Sequence, residues 1–99
     1  MATNETLLKI KTGIRIKHDR LDEDVMGDID AGLADLALHG IIEPQETDPL
    51  IFNAIKLWCR SLYTEDPEKA EMWRQRYVSL RDSLKMAEGY GWKEADPDE

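Results

Sequence analysis

One segment of the chain, residues 49–63, is apolar around nearly its whole circumference when it is drawn as an α-helix. The segment reads PLIFNAIKLWCRSLY, and only Asn53, Lys56 and Arg60 line up as a polar stripe. A helix of this kind must be buried on almost every side. A chain of 99 residues has few other elements that can cover it. The fold must therefore supply several covering helices, or other subunits must contribute.

Four helices joined by short connections account for the apolar pattern of the whole chain. The predicted helices cover residues 4–12, 20–39, 49–63 and 67–88. The second and fourth each carry one apolar stripe, and the first carries a short one. We therefore predict an all-α fold, a compact bundle of about four helices in which residues 1–92 form a single domain. Residues 93–99 are expected to be a short, flexible and disordered acidic tail.

Two Asp-Pro pairs mark helix starts. Asp48-Pro49 and Asp66-Pro67 each place an acid at the N-cap and a proline at the first helical position, where its missing N–H costs nothing. Capping residues and glycines define the other predicted ends: Thr3, Asp19, Gly40 and Gly89.

The predicted core lies where the stripes of the second and fourth helices meet the third. It consists of Leu33, Ile55, Trp58, Leu62, Trp73, Tyr77 and Leu80. The single cysteine, Cys59, falls in the same apolar helix, so we interpret it as a small core residue rather than a reactive thiol. It cannot form an internal disulfide, which fits a reducing cytoplasm.

Charge is distributed unevenly along a chain whose net charge is −8. Residues 1–20 hold five bases and two acids, whereas residues 21–50 hold nine acids and no Lys or Arg. This acidity argues against phosphate-backbone binding as the main activity, because that affinity comes from Lys and Arg releasing counterions. The basic N-terminal segment, residues 1–20, is suited to docking against an acidic neighbouring molecule.

The second helix carries three carboxylates in a stripe, Asp24, Asp28 and Asp35. Like charges at this spacing cost a few tenths of a kcal/mol unless something compensates them. Two interpretations remain open: a solvated helix face, or a face with a function.

No sequence motif indicates an enzyme. The chain lacks G-x-S-x-G, a P-loop, Cys-x-x-Cys and paired histidines on one helix face. His18-Asp19 resembles a metal-ligand pair of helical phosphohydrolases, but no further ligands converge on it. We therefore predict no catalytic, cofactor-binding or metal-binding residues. No apolar run has the length of a membrane span or signal peptide, so we expect a protein that is neither membrane-bound nor secreted.

Some apolar residues lie outside the predicted helices. Ile41 and Ile42 fall in a loop, and Tyr90 and Trp92 fall in the tail. Each can pack on its own bundle, but together they favour contacts between subunits. The predicted subunit interface comprises Lys9, Lys11, Arg15, Lys17, Ile41 and Ile42. Tyr90 and Trp92 are the predicted anchors to a partner, with Trp92 as a lid on its own bundle as the alternative.

The order of these elements resembles a known family. A short first helix, a basic IRI stretch, an acidic start to the second helix, the DPLIFNAIKLWCRSLY helix and a final helix before Tyr90 together resemble the small head–tail connector (adaptor) proteins of tailed bacteriophages. These proteins are often described as DNA-packaging proteins. The resemblance spans about residues 5–92 and rests on helix lengths and the apolar pattern.

The resemblance implies a non-enzymatic virion protein at the head–tail junction, synthesised in the bacterial cytoplasm. Its protomers would form a ring of about a dozen copies between the portal protein and a neck or tail-completion protein. DNA would pass through without specific binding, which suits an acidic channel or interface face at Asp24, Asp28 and Asp35 because that face repels phosphate. The partner-binding residues for the portal would be Tyr90 and Trp92.

Two other interpretations stay open from the sequence. The first is a small acidic regulatory protein that binds a host or phage protein one-to-one and mimics the charge of DNA. It shares the composition of the connector but stays monomeric or dimeric. The second is a helical metal-dependent hydrolase, for which converging carboxylates are missing.

Overall fold

The structure, a computed structural model, describes residues 2–87 and 89–91. Four helices form in this part of the chain: α1 (Asn4–Gly13), α2 (Asp22–Leu38), α3 (Pro49–Tyr63) and α4 (Pro67–Met86). The predicted all-α bundle is confirmed. Residues 88 and 92–99, which include the predicted acidic tail, lie outside the described residues.

Helix α3 lies at the centre of the bundle and packs against each of the other three helices. Its most extensive contact is with α4, which runs antiparallel beside it. Helices α2 and α1 cover other sides of α3. The α3 residues Ile51, Ala54, Ile55 and Cys59 are completely buried as a result. The three neighbouring helices therefore explain most of the apolar circumference of α3.

The core extends from α3 into every other helix. Its largest fully buried side chains are Ile10, Val25, Ile29, Leu36, Ile41, Ile51, Ile55, Cys59 and Tyr77. Burial, helped by the negative charge of Asp28, raises the pKa of the Cys59 thiol to about 12. The thiol therefore stays protonated, as expected for a core residue.

The predicted core is correct at its centre and wrong at one end. Ile55 and Tyr77 are fully buried, and three further predicted residues are half-buried against the core: Leu33, Trp58 and Leu80. Leu62 is instead 52% exposed, because it lies on the last turn of α3 beside an open groove next to the start of α2. Trp73 is half-buried but does not pack against the core; its ring instead contacts the guanidinium groups of Arg60 and Arg76.

Three of the four predicted N-caps are confirmed. The Thr3 hydroxyl accepts a hydrogen bond from the Thr6 N–H at 3.2 Å. The Asp48 carboxylate accepts from the Leu50 N–H at 2.9 Å, and Asp66 caps α4 in the same way. In both helices the proline follows the capping acid, as the Asp-Pro pairs predict.

The predicted ends of α2 and α4 need correction. Asp19 does not cap α2, which begins at Asp22, because its backbone oxygen closes a turn with the Asp22 N–H at 3.3 Å. Helix α4 ends at Met86 rather than residue 88. Gly40 has a φ of +98°, which lets the Ile41 N–H return to the Leu36 oxygen and end α2 as predicted.

A polar cluster around Asp35 ties α2 to α4. The Tyr77 hydroxyl donates to the Asp35 carboxylate at 2.6 Å, and Arg81 donates to the same oxygen at 3.3 Å. The imidazole of His39 lies 3.3 Å from the other carboxylate oxygen. Burial, the hydrogen bond and the charge of Asp35 together raise the pKa of Tyr77 far above its usual value. Tyr77 therefore remains a donor at any ordinary pH.

The division between buried and exposed faces of α3 is testable with two alanine substitutions. Ile55→Ala should lower the free energy of unfolding by about 2–5 kcal/mol, because it opens a cavity at a fully buried site. Leu62→Ala, two turns away on the same helix, should cost less than about 1 kcal/mol. Urea unfolding measures both, and equal losses would contradict the placement of Leu62.

The Asp35 cluster is testable by removing one hydroxyl. Tyr77→Phe should lower the free energy of unfolding by about 1–3 kcal/mol, because it leaves a partly buried carboxylate oxygen with one donor fewer. Tyr63→Phe removes an equally short hydrogen bond from a less buried ring and should cost about 1 kcal/mol or less. Urea unfolding measures both variants. A larger loss of unfolding free energy for Tyr63→Phe than for Tyr77→Phe would show that the Tyr77–Asp35 hydrogen bond is not the stronger of the two.

Candidate interaction surfaces

Most carboxylates of α2 are bonded inside the protomer. The Lys11 ammonium lies 2.7 Å from an Asp22 oxygen, and the Tyr63 hydroxyl donates to Asp28 at 2.6 Å. Asp30 accepts from the Ala2 N–H at 2.8 Å. The internally bonded carboxylates are Asp22, Asp28, Asp30 and Asp35. The acidity of this helix therefore serves largely to hold neighbouring elements in place.

Of the three residues predicted to form an acidic face, which are Asp24, Asp28 and Asp35, only one is exposed. Asp28 and Asp35 each accept a tyrosine hydroxyl, whereas Asp24 is exposed. Its neighbour Glu23 is exposed as well. The outward negative charge at the start of α2 therefore comes mainly from Glu23 and Asp24.

The predicted subunit interface contains buried and exposed members. Lys11 and Ile41 are buried within the protomer, and the charge of Lys11 is paired with Asp22. Four members remain on the surface: Lys9, Arg15, Lys17 and Ile42. Lys9 lies 3.3 Å from Glu5 one turn away, an exposed ion pair of the kind that contributes little to stability.

A basic groove of about 510 Å³ lies between the end of α1, the last turn of α3 and the start of α4. Its walls are Gly13, Ile14, Arg15, Arg60, Tyr63, Thr64, Lys69 and Trp73. The Arg60 Nε donates to the Gly13 oxygen at 3.2 Å, and its guanidinium carbon lies 4.7 Å from the Trp73 ring centroid. These two contacts fix the guanidinium in the wall of the groove.

An acidic groove of about 520 Å³ lies between the start of α2 and the end of α3. Its walls are Glu23, Asp24, Gly27, Asp28, Leu62 and Tyr63. Tyr63 thus belongs to both grooves. Burial and the hydrogen bond to Asp28 raise the pKa of Tyr63 well above its usual value, so the shared wall stays uncharged.

Tyr90 holds the chain after α4 against the end of the bundle where α3 begins, which is opposite the end that carries the two grooves. Its hydroxyl donates to Asp48 at 2.9 Å, and its backbone oxygen accepts from the Ile42 N–H at 2.8 Å. Desolvation opposes charge on Asp48, but the hydrogen bonds from Tyr90 and from two backbone N–H groups outweigh it and lower the pKa of that carboxyl. Tyr90 therefore contacts its own bundle, while Trp92 lies outside the described residues.

Exposed apolar side chains gather on the segments that meet around Tyr90. Leu38 is 78% exposed, Met86 83% and Ile42 46%. Leu50 follows the Asp48 cap in the same region and is also exposed. We call these four residues the apolar end: Leu38, Ile42, Leu50 and Met86.

The described residues contain neither a metal-binding cluster nor a membrane-spanning helix. Within residues 2–87 and 89–91, no three His, Cys, Asp or Glu side chains come together in a way that holds a metal ion. None of the four helices combines the length and the apolar character that a bilayer crossing requires.

Sequence reasoning missed the basic groove. Arg15, Arg60 and Lys69 belong to three different segments of the chain, and the sequence predicts Trp73 in the core. One signal was present: Arg60 belongs to the short polar stripe of α3, so it must face an edge of the bundle. The partners it meets at that edge depend on how α1 and α4 pack.

Comparisons with known proteins returned no match. No protein-family model matches the chain, and the searches of curated proteins and solved structures gave no significant match. The resemblance to head–tail connectors therefore stays a prediction, and the surfaces described above carry the functional argument.

Proposed function

We propose that this chain is a non-enzymatic structural protein of the phage neck that assembles as a ring between the portal and tail components and extends the DNA channel. The observation that carries the proposal is the apolar end. It consists of four exposed large apolar side chains at the end of the bundle where the chain after α4 is held, and the proposal assigns it the role of a docking surface.

The apolar end holds four of the seven large apolar side chains that are exposed in the described part of the chain. Charged residues make up 34% of the chain, yet four large apolar side chains are exposed on segments linked by Tyr90. Apolar residues that accumulate in one region of a polar surface typically mark an interface. Trp92 follows Gly91 in sequence and is the second aromatic residue that the sequence predicts as an anchor.

A ring subunit needs three kinds of surface. One end binds the ring above it, two sides bind the neighbouring subunits, and the channel side lets DNA slide. The apolar end suits the first requirement, and the basic and acidic grooves suit the second. The net charge of −8 suits the third, because an acidic protein as a whole repels phosphate.

The acidic-regulator alternative is less well supported. A protein that mimics DNA must display its carboxylates to the partner. In α2 four carboxylates are bonded inside the protomer, to Lys11, Tyr63, Tyr77 and the Ala2 N–H. The helix with the most acids therefore displays few of them.

Substitutions at the apolar end test the docking surface. Leu38→Gln combined with Met86→Gln should raise the Kd for the phage's portal protein about tenfold or more, because both side chains would lose apolar burial in the complex. Met72→Gln, at an exposed methionine near the other end of α4, is the matched control and should leave the Kd unchanged. Light scattering of the chain with and without the portal gives mass and affinity together. No complex with the portal, or equal effects of both variants, would refute the proposal.

Alanine substitutions at the two predicted aromatic anchors, Tyr90 and Trp92, should affect different properties of the protein. Tyr90→Ala should lower the melting temperature, because the Tyr90 hydroxyl holds Asp48 at the start of α3. Trp92→Ala should weaken portal binding by about 2 kcal/mol or more and leave the melting temperature unchanged, if Trp92 is an interface anchor. A lower melting temperature with full portal binding for Trp92→Ala would instead identify Trp92 as a lid on its own bundle.

A further inference from the structure

The basic and acidic grooves open on opposite sides of the last turn of α3. Arg60 lines the basic groove and Leu62 lines the acidic one. Residues two apart on an α-helix differ by about 200° around the helix axis. Tyr63 stands between the two grooves and contributes to both walls. One helix end therefore presents a positive depression on one side and a negative depression on the other.

The side chains that line the basic groove are chemically suited to carboxylates. Its described lining contains three cationic side chains, Arg15, Arg60 and Lys69, and no carboxylate. Arg60 is held by the Gly13 oxygen through Nε and by the ring of Trp73, so its planar group is already oriented. A guanidinium held in this way binds carboxylates with little loss of side-chain entropy.

The acidic groove offers a matching surface. Glu23 and Asp24 are exposed in the first turn of α2, while Asp28 is occupied by the Tyr63 hydroxyl. A Cβ placed at Gly27 would meet no atom within 4 Å, so the groove is open at this point. Leu62, which is half exposed on the wall, adds an apolar contact next to the carboxylates.

We infer that the acidic groove of one copy docks against the basic groove of the next copy. In this contact Glu23 and Asp24 of one copy face the cations of the other, which are Arg15, Arg60 and Lys69. The inference rests on the proposed ring and supplies its lateral contact. Of the exposed bases that the sequence predicted for the interface, it retains Arg15.

The occupant is a second copy because one molecule carries both halves of the contact. The charged side chains that line the two grooves are of opposite sign. Because the grooves face opposite sides of α3, each copy can bind one neighbour on each side. Contacts of this head-to-tail kind build rings or open chains, whereas a self-complementary patch stops at a pair.

A charge-swap experiment on the full chain tests this contact. The first variant combines Arg15→Asp with Lys69→Glu and reverses the basic groove; Asp is suited to position 15 because its φ is +61°. The second variant combines Glu23→Lys with Asp24→Lys and reverses the acidic groove. Each variant alone should self-associate about tenfold more weakly than the wild type, because like charges then face each other. An equimolar mixture of the two should recover the wild-type mass, since every contact in an alternating assembly is again complementary.

Controls separate the contact from general charge effects and from misfolding. Arg74→Glu combined with Lys85→Glu makes the same change in net charge as the first variant, on exposed positions of α4 outside both grooves, and it should leave self-association unchanged. Circular dichroism checks that each variant is folded. Glu23→Gln combined with Asp24→Asn removes charge without opposing the helix dipole, and it should weaken association in the same direction. Recovery in the mixture is the result that misfolding does not produce.

Sedimentation across a dilution series gives outcomes that decide the inference separately from the proposed function. Assembly beyond a dimer that weakens in each variant and recovers in the mixture supports the inference. The inference is overturned if the wild-type chain stays monomeric or stops at a dimer. It is also overturned if the charge reversals in the grooves leave assembly unchanged. Portal binding by the apolar end decides the proposed function independently, because those residues lie outside both grooves.

Discussion

The burial of α3 is the constraint on which the rest of the structure depends. A fifteen-residue helix that is apolar nearly all round needs neighbours on several sides, and α1, α2 and α4 provide them. Ile55 and Cys59 lie at its centre and are inaccessible to solvent, whereas Leu50 and Leu62 emerge near its two ends. Three helices cover the middle of a fourth but not its ends. Apolar residues at the ends of α3 therefore stay exposed because no neighbouring helix reaches them. They lie where contacts with other molecules are proposed.

Acidic residues make the packing of α2 specific. Asp28 and Asp35 are seven residues apart, about 10 Å along the helix and on nearly the same face. Each accepts a hydroxyl at 2.6 Å, the first from Tyr63 on α3 and the second from Tyr77 on α4. A charged acceptor makes a stronger hydrogen bond than a neutral one, and a partly buried carboxylate without a donor is costly. The two bonds therefore favour one register of α2 against both neighbours, which apolar packing alone specifies less sharply.

Local signals in the sequence predicted the fold well, and long-range packing explains the errors. The Asp-Pro helix starts depend only on adjacent residues, so Asp48 and Asp66 cap as expected. The burial of Leu62 depends instead on where α2 begins, and the position of Trp73 depends on the approach of Arg60 from another helix. Such contacts do not follow from periodicity. The same limit applies to the candidate site: exposed bases were predicted near the N-terminus, but the groove also draws on α3 and α4.

The two kinds of surface suggest how the proposed assembly is ordered. Exposed charge pairs contribute about 1 kcal/mol or less each, so contacts between the grooves are weak one at a time and weaker still in high salt. Apolar burial at the opposite end is far less sensitive to salt and suits a more durable contact. Copies held side by side on a partner that itself repeats would meet at a high effective concentration, which strengthens the lateral contacts that free copies already make with one another. Under the proposed function, the portal therefore acts as the template for the ring, and the charged grooves set the order of subunits around it.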